Sequence, residues 1–130
     1  MSKNFKDKDL ITVSLGSEKL TLEAAVSTEA VTQGLSGRIK IPADGMLFIF
    51  PEADLRYFWM KDMNFPLDII WLRDNTIIGI TYGAAIPPEN ERENPQQIYH
   101  SPAPADMVIE VEAGRAVSFA VGMKLVIVGS

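Results

Sequence analysis

The sequence predicts a mainly β domain of the α+β class, a compact antiparallel β-sandwich or barrel-like domain with one short helix near residues 28–35. Short segments rich in β-branched and aromatic residues recur along the chain, turn residues separate them, and only one stretch changes to the helical period. The length of 130 residues fits one domain. We expect residues 1–9 to be a flexible N-terminal lead-in and residues 10–130 to form the single β-rich domain.

A first hairpin and the helix are predicted near the N-terminus. The segments ITVSL and KLTLEAAV alternate apolar and polar residues around Gly16–Ser17, a pattern typical of two paired strands. The next segment, STEAVTQGLSGR, changes to the helical period. Ser27 or Thr28 can cap this helix and Gly34 can end it, so one short helix is expected here.

A second hairpin is predicted after a buried strand at Met46–Phe50. Asp74–Asn75 separates LDIIWLR from TIIGITY, and both turn residues tolerate the positive φ that a two-residue loop requires. Counting outward from the turn places Trp71 opposite Ile78. One face of the hairpin is expected to be core, whereas the other face ends in the polar residue Asp68.

A long loop and three strand candidates follow. Residues 83–106 hold five of the eight prolines and a cluster of charged residues, so they are expected to form a surface loop. The strand candidates are MVIEVE, AVSFAV and MKLVIV, and they are broken at Ala113–Gly114 and at Gly122.

Composition and charge exclude several classes of protein. A net charge of -5 without a basic stripe argues against a nucleic-acid partner. The absence of cysteine excludes thiol catalysis, and no apolar run reaches the ~18 residues of a membrane span. The N-terminus lacks the apolar core of a secretory signal, so cytoplasmic residence is the default expectation, with export or membrane anchoring as the alternative if a leader was removed.

Motifs for metal binding or catalysis are few. His100 is the sole histidine, so neither a His–His metal pair nor a triad with a second histidine can be built. Asp62, Asn64 and Asp68 only loosely resemble a calcium loop, because its glycine and its terminal glutamate are missing. The sequence therefore predicts no metal and no cofactor.

The most distinctive stretch is YFWMKDMNFPLDIIW, residues 57–71. Read as a strand, it directs Tyr57, Trp59 and Lys61 to one side and the intervening side chains to the core. Such an aromatic and cationic platform can stack a ring and hold a polar group. Because unpaired charge in a core is costly, Lys61 is expected to be solvated, to face a polar cleft or to pair with Asp68. The alternative is that Trp59 is ordinary core and Lys61 only snorkels to solvent.

Five motifs follow one another along the chain: GLxxR, DGMLFxF, FWMKxxxxPLDI, YxS after the proline-rich loop, and VIEVxAG. Their order, over residues 20–128, resembles the bacterial and archaeal family called domain of unknown function 192. The resemblance implies a β-sandwich or barrel-like fold with a short helix, and no assigned activity. Members often carry an N-terminal export signal or lipoprotein-type leader, which MSKNFKDKDL does not show.

The resemblance also implies that Arg38, Lys61 and Asp68 meet in space, either as an ion-pair network or as the floor of a small pocket. Met46, Phe48 and Trp59 of the same motifs would form the walls of that pocket. The predicted site residues are Arg38, Met46, Phe48, Trp59, Lys61 and Asp68.

This chain departs from the family pattern at several positions. The family usually has a methionine at Ser36, an asparagine-threonine pair at Asp62–Met63 and an acidic residue at Met123. The negative charge added by Asp62 favours either a less anionic ligand or a Lys61 that is neutralised internally.

Three functions remain open. The first is a non-enzymatic module that binds a small polar ligand, such as a saccharide or a small carboxylate, under the proline-rich loop. The second is a carboxylate-type hydrolase with Asp68 and Glu110 as acid and base, which requires the two carboxyl groups to lie within about 5–10 Å of each other around one cleft. The third is an interaction or scaffold domain with a protein partner, which predicts no concave pocket at the motif.

Overall fold

The fold is built around one seven-stranded sheet. The structure, a computed structural model, describes residues 4–129. Its elements are β1 Leu10–Leu15, β2 Glu18–Ala25, α1 Thr28–Gln33, β3 Met46–Asp54, β4 Tyr57–Phe58, β5 Leu67–Arg73, β6 Thr76–Ala84, β7 Tyr99–His100, β8 Ala105–Glu112 and β9 Leu125–Gly129, with 3-10 turns at Glu89–Glu91 and Arg115–Ser118. The sheet order is β6-β5-β8-β3-β2-β1-β9, and β4 pairs separately with β7. The predicted mainly β fold with one short helix is confirmed.

The large sheet curls into a half-barrel whose two edge strands approach each other. Its neighbouring strands are antiparallel except for the parallel pair β2 and β3. Thr76, at the start of β6, forms a bridge with Lys124 just before β9. The interior holds the larger apolar core, which includes Ile11, Val13, Leu20, Leu22, Leu47, Ile70, Leu72, Ile109 and Val111.

A second apolar core lies on the outer face of β3, β5 and β8, where side chains from α1 and from residues 58–65 cover the sheet. Its buried members are Ala25, Leu35, Met46, Phe48, Met60, Met63, Leu67, Ile69, Trp71, Ala84 and Val108. Both faces of β5 are therefore buried from Leu67 to Leu72. Asp68 lies on the other face of β5, which Ile70 and Leu72 share with the larger core, and it is only 1% exposed. The expectation that this face of the second hairpin ends at a polar surface is therefore wrong.

The second hairpin has the predicted turn but a different register. Asp74 and Asn75 both have positive φ, 51° and 60°. A β-bulge between Trp71 and Leu72 then shifts the pairing, so Trp71 lies opposite Gly79 and not opposite Ile78. Gly79 fits there because a Cβ atom at that position would lie only 2.7 Å from Pro102 Cγ.

Helix α1 is confirmed, whereas one C-terminal strand is not. Ser27 Oγ accepts a hydrogen bond from Ala30 N over 3.1 Å, and Gly34 ends the helix with a φ of 51°. The segment AVSFAV was predicted as a strand, but it begins with the 3-10 turn Arg115–Ser118. The Asp68 carboxylate ties this turn to the sheet by accepting from Gly114 N and Ala116 N.

The described part of the N-terminal lead-in, residues 4–9, lies along the end of β2. Lys8 N donates to Ala24 O over 2.9 Å. Asp7 Oδ1 accepts from Val26 N and Ser27 N. The flexibility of residues 1–9 stays a prediction. Residues 1–3 of this lead-in lie outside the part of the chain that the structure describes. Among residues 4–129 no helix is long and apolar enough to cross a membrane.

Candidate functional site

A cavity of about 270 Å³ opens on the outer face of the sheet, beside the second apolar core. The C-terminal half of α1, strand β3 and residues 55–59 surround it, and β8 contributes one residue. The lining residues are Val31, Thr32, Gln33, Gly34, Leu35, Ser36, Phe48, Phe50, Leu55, Arg56, Tyr57, Phe58, Trp59, Met63 and Glu110.

Interlocked aromatic rings form the inner wall of the cavity. The rings of Phe48 and Phe58 meet edge to face with their centroids 4.9 Å apart. Phe58 in turn meets the buried ring of Trp71 at 5.6 Å, again edge to face. Because Phe48 is fully buried in the sheet, this wall is held in place by the core and not by mobile loops.

Arg56 lies in the lining, but its guanidinium is already engaged. It stacks 3.7 Å from the centroid of the Phe50 ring. Its Nε donates to Ala105 O over 3.0 Å, and a terminal nitrogen donates to Glu52 O. These contacts give Arg56 a structural role in joining β3 to β8.

Glu110 is the buried carboxyl group of the cavity. On β8 it pairs with Met46 of β3 and with Ile69 of β5, so its side chain shares the outer face with the second core. It is only 4% exposed, and neither a hydrogen bond nor an ion pair joins it to another side chain among residues 4–129. Burial alone raises the pKa of Glu110 from 4.5 to about 8.

The Glu110 carboxyl keeps contact with the open space of the cavity. Within residues 4–129, Asp106 Oδ1 is the one fully enclosed side-chain nitrogen or oxygen atom without a partner. The Glu110 oxygens have no partner either, and they are therefore accessible from the cavity that this residue lines. A bound molecule can reach this carboxyl group directly.

The segment that carries Trp59 is extended for a shorter length than predicted. Strand β4 stops at Phe58, and Asp62 adopts a φ of 52° in the turn that follows. The predicted alternation nevertheless holds from Tyr57 to Met60, since Tyr57 and Trp59 are exposed and Met60 is buried. Lys61 Nζ lies 5.8 Å from the centroid of the Trp59 ring.

The six predicted site residues separate into two groups. Phe48 and Trp59 line the cavity, whereas Arg38, Met46, Lys61 and Asp68 lie outside its lining. Arg38 forms a bidentate ion pair with Glu23. Met46 is buried in the second core.

Asp68 has a different environment from the one expected. It is 1% exposed, and it accepts from Gly83 N over 2.8 Å as well as from Gly114 N and Ala116 N. The predicted pairing with Lys61 is wrong, since neither of the two ion pairs among residues 4–129 involves these residues. Backbone N–H groups already satisfy this carboxylate.

The predicted acid and base pair is also wrong. Asp68 pairs with Val111 across β5 and β8, whereas Ile69 pairs with Glu110. Adjacent residues of a strand point to opposite faces, so the carboxyl groups of Asp68 and Glu110 lie on opposite sides of the sheet. They cannot flank one cleft.

Sequence reasoning missed Arg56 and the end of α1 as lining residues, and it named Glu110 only as the partner of Asp68 in the hydrolase hypothesis. The sequence signal for the burial of Glu110 is an acidic residue inside the apolar run MVIEVE. Its burial depends on α1 and residues 55–59, which cover that face from distant parts of the chain.

Comparison with known proteins relates the whole domain to one family and to solved structures. The model of the family described as uncharacterized ACR, domain of unknown function 192, matches residues 11–127. A crystal structure from Sinorhizobium meliloti 1021, described as a "putative transcription regulator", is 29% identical with a TM-score of 0.80, covering 95% of this chain and 98% of that one. A protein of unknown function from Novosphingobium aromaticivorans DSM 12444 is 25% identical with a TM-score of 0.74, covering 90% and 83%. No curated protein matches the sequence.

Proposed function

The chain belongs to the domain of unknown function 192 family, and we propose that this member is a non-enzymatic module that binds a small molecule in the cavity beside α1. The observation that carries the proposal is Glu110, a carboxyl group without an internal partner at an aromatic cavity. Burying such a group unsatisfied costs free energy, so it is typical of a binding site and not of a core.

The lining favours a ligand with a ring. Phe58 and Trp59 offer apolar ring surfaces, on which a planar ring or the apolar face of a saccharide can stack, and the buried Phe48 ring supports Phe58 from behind. The small carboxylate considered from the sequence is disfavoured, because Arg56 is the only basic residue in the lining and its guanidinium is already engaged.

Binding is a better proposal than catalysis. A glycosidase-type mechanism requires two carboxyl groups around one cleft, and Asp68 lies on the other face of the sheet. His100 pairs with Tyr57 in the small sheet but does not line the cavity. Glu110 therefore lacks a second titratable group with the usual geometry of an acid and base pair.

Two other functions have less support. The interaction-domain hypothesis predicts no concave pocket at the motif, yet the FWMK motif contributes Phe58 and Trp59 to the cavity. DNA binding, which the description of the S. meliloti structure would favour, requires clustered basic residues, and this chain has 12 basic against 17 acidic residues.

Ligand-observed NMR with a library of small cyclic compounds tests the proposal. We expect several compounds to bind the wild type in the millimolar range or better and to lose at least about half of their signal in Trp59→Ala, which removes a wall of the cavity. Tyr82→Ala is the matched control, because Tyr82 is an exposed aromatic residue outside the lining. Failure of the whole library to bind, or equal binding by both variants, would overturn the proposed function.

A further inference from the structure

We propose that the ligand of this cavity carries a protonated amine that pairs with the Glu110 carboxylate while its ring lies against the aromatic wall. This inference rests on the proposed function and names the chemical class of the ligand. It follows from the absence of any compensating cation around Glu110 within the described part of the chain.

The surroundings of Glu110 lack an internal counter-charge. Strand β3 contributes Met46 and Phe48 to the same face, and β5 contributes Ile69. At the end of α1 the lining residues are uncharged, and Tyr57 is the only other titratable group in the lining besides Arg56. Arg56 makes no ion pair with Glu110.

A protonated amine supplies the positive charge that the surroundings of Glu110 lack. A carboxylate in an apolar site gains most from a cation that hydrogen-bonds to it directly. The aromatic rings of Phe58 and Trp59 favour the same cation, because their π faces attract positive charge. A neutral ring compound gains only the contact with the aromatic wall.

Binding of an amine has a defined proton balance. Near neutral pH most free protein carries a protonated Glu110, because burial raises its pKa to about 8. When a protonated amine binds, the Glu110 O–H bond breaks, the carboxylate pairs with the ammonium group, and the proton goes to the buffer. We expect release of close to one proton per amine bound at pH 7, and less as the pH rises through about 8.

Isothermal titration calorimetry with benzylamine and benzyl alcohol tests the inference. In two pH 7 buffers of different ionisation enthalpy, benzylamine should release close to one proton and bind at least about tenfold more tightly than benzyl alcohol. Glu110→Gln should abolish the proton release and reduce the affinity for benzylamine to the affinity for benzyl alcohol. Glu112→Gln is the matched control, since Glu112 is an exposed carboxylate two residues away on the same strand face.

Two outcomes separate the inference from the proposed function. If cyclic compounds bind in a way that depends on Trp59, but benzylamine is no tighter than benzyl alcohol and releases no proton, the inference fails and the proposed function stands. If no cyclic compound of the library binds, both fail. Circular dichroism of Glu110→Gln verifies that the variant is folded before its affinities are compared.

Discussion

Asp68 and Glu110 show how surroundings decide the role of a buried carboxyl group. Asp68 accepts from three backbone N–H groups and thereby joins β5 to β6 and to the residues that follow β8. Such bonds replace the water that a buried carboxylate loses. Glu110 is almost equally buried but receives no such donor, so its charged form is left without compensation. One residue therefore stabilises the fold, whereas the other is available to the ligand that we propose.

Glu110 makes stability depend on pH. Its folded pKa of about 8 is above the ordinary value of 4.5, so folding favours the protonated form. The contribution to the free energy of unfolding is fully present below pH 4.5 and is lost as the pH rises through 8, a loss of at most about 5 kcal/mol. Glu110→Gln should thus match the wild type at low pH and become the more stable protein as the pH rises.

Urea denaturation of both proteins at intervals from acidic to mildly alkaline pH measures this difference. Glu112→Gln serves as the control, because its exposed carboxylate should leave the pH profile of the wild type unchanged. Parallel profiles for the wild type and Glu110→Gln would contradict the prediction.

At the scale of elements, a contact between two strands holds Glu110 in position. Gly45, directly before β3, has a φ of 152°, and a Cβ atom there would lie 2.1 Å from the Glu110 backbone oxygen. Gly45→Ala should therefore push β3 and β8 apart and lower the free energy of unfolding by several kcal/mol, about 3 or more.

Chemical denaturation of Gly45→Ala measures this cost. Gly37→Ala is the matched control, because Gly37 also has positive φ but open space around its Cα, so only about 1 kcal/mol of backbone strain is expected. If the two variants lose the same stability, close approach of the strands is not what requires glycine at position 45.

Local signals predicted the elements that depend on neighbours in the chain. The turn at Asp74–Asn75 and the helix cap at Ser27 could be predicted because each depends only on residues adjacent in the sequence. The bulge at Trp71 and the 3-10 turn after Gly114 were not predictable, since both lie against distant segments: Pro102 approaches Gly79 opposite Trp71, and Asp68 accepts from Gly114 N. The family motifs pointed to Phe48 and Trp59, which line the cavity, but the sequence did not show that Glu110 is buried there, because its burial requires the assembled fold.

At the scale of the whole molecule, two apolar cores share one sheet, and β5 contributes to both. Ile69 lies in the outer core beside Glu110, whereas Ile70 lies in the interior of the half-barrel. Every residue from Leu67 to Leu72 is buried, so β5 is covered by a core on each of its faces. If the core on one face unfolds, it exposes the same strand that the core on the other face packs against. We therefore expect both cores to unfold in one cooperative transition.

Ile69→Ala and Ile70→Ala form a matched pair for this expectation, since they are adjacent residues of one type on opposite faces. Each should lower the free energy of unfolding by about 2–5 kcal/mol, and tryptophan fluorescence and circular dichroism should report one coincident transition in both variants. A separate early transition in Ile69→Ala alone, seen by the fluorescence of Trp71 in the outer core, would mean that the outer cover unfolds independently. The cavity would then belong to a local unit that can open while the half-barrel stays folded.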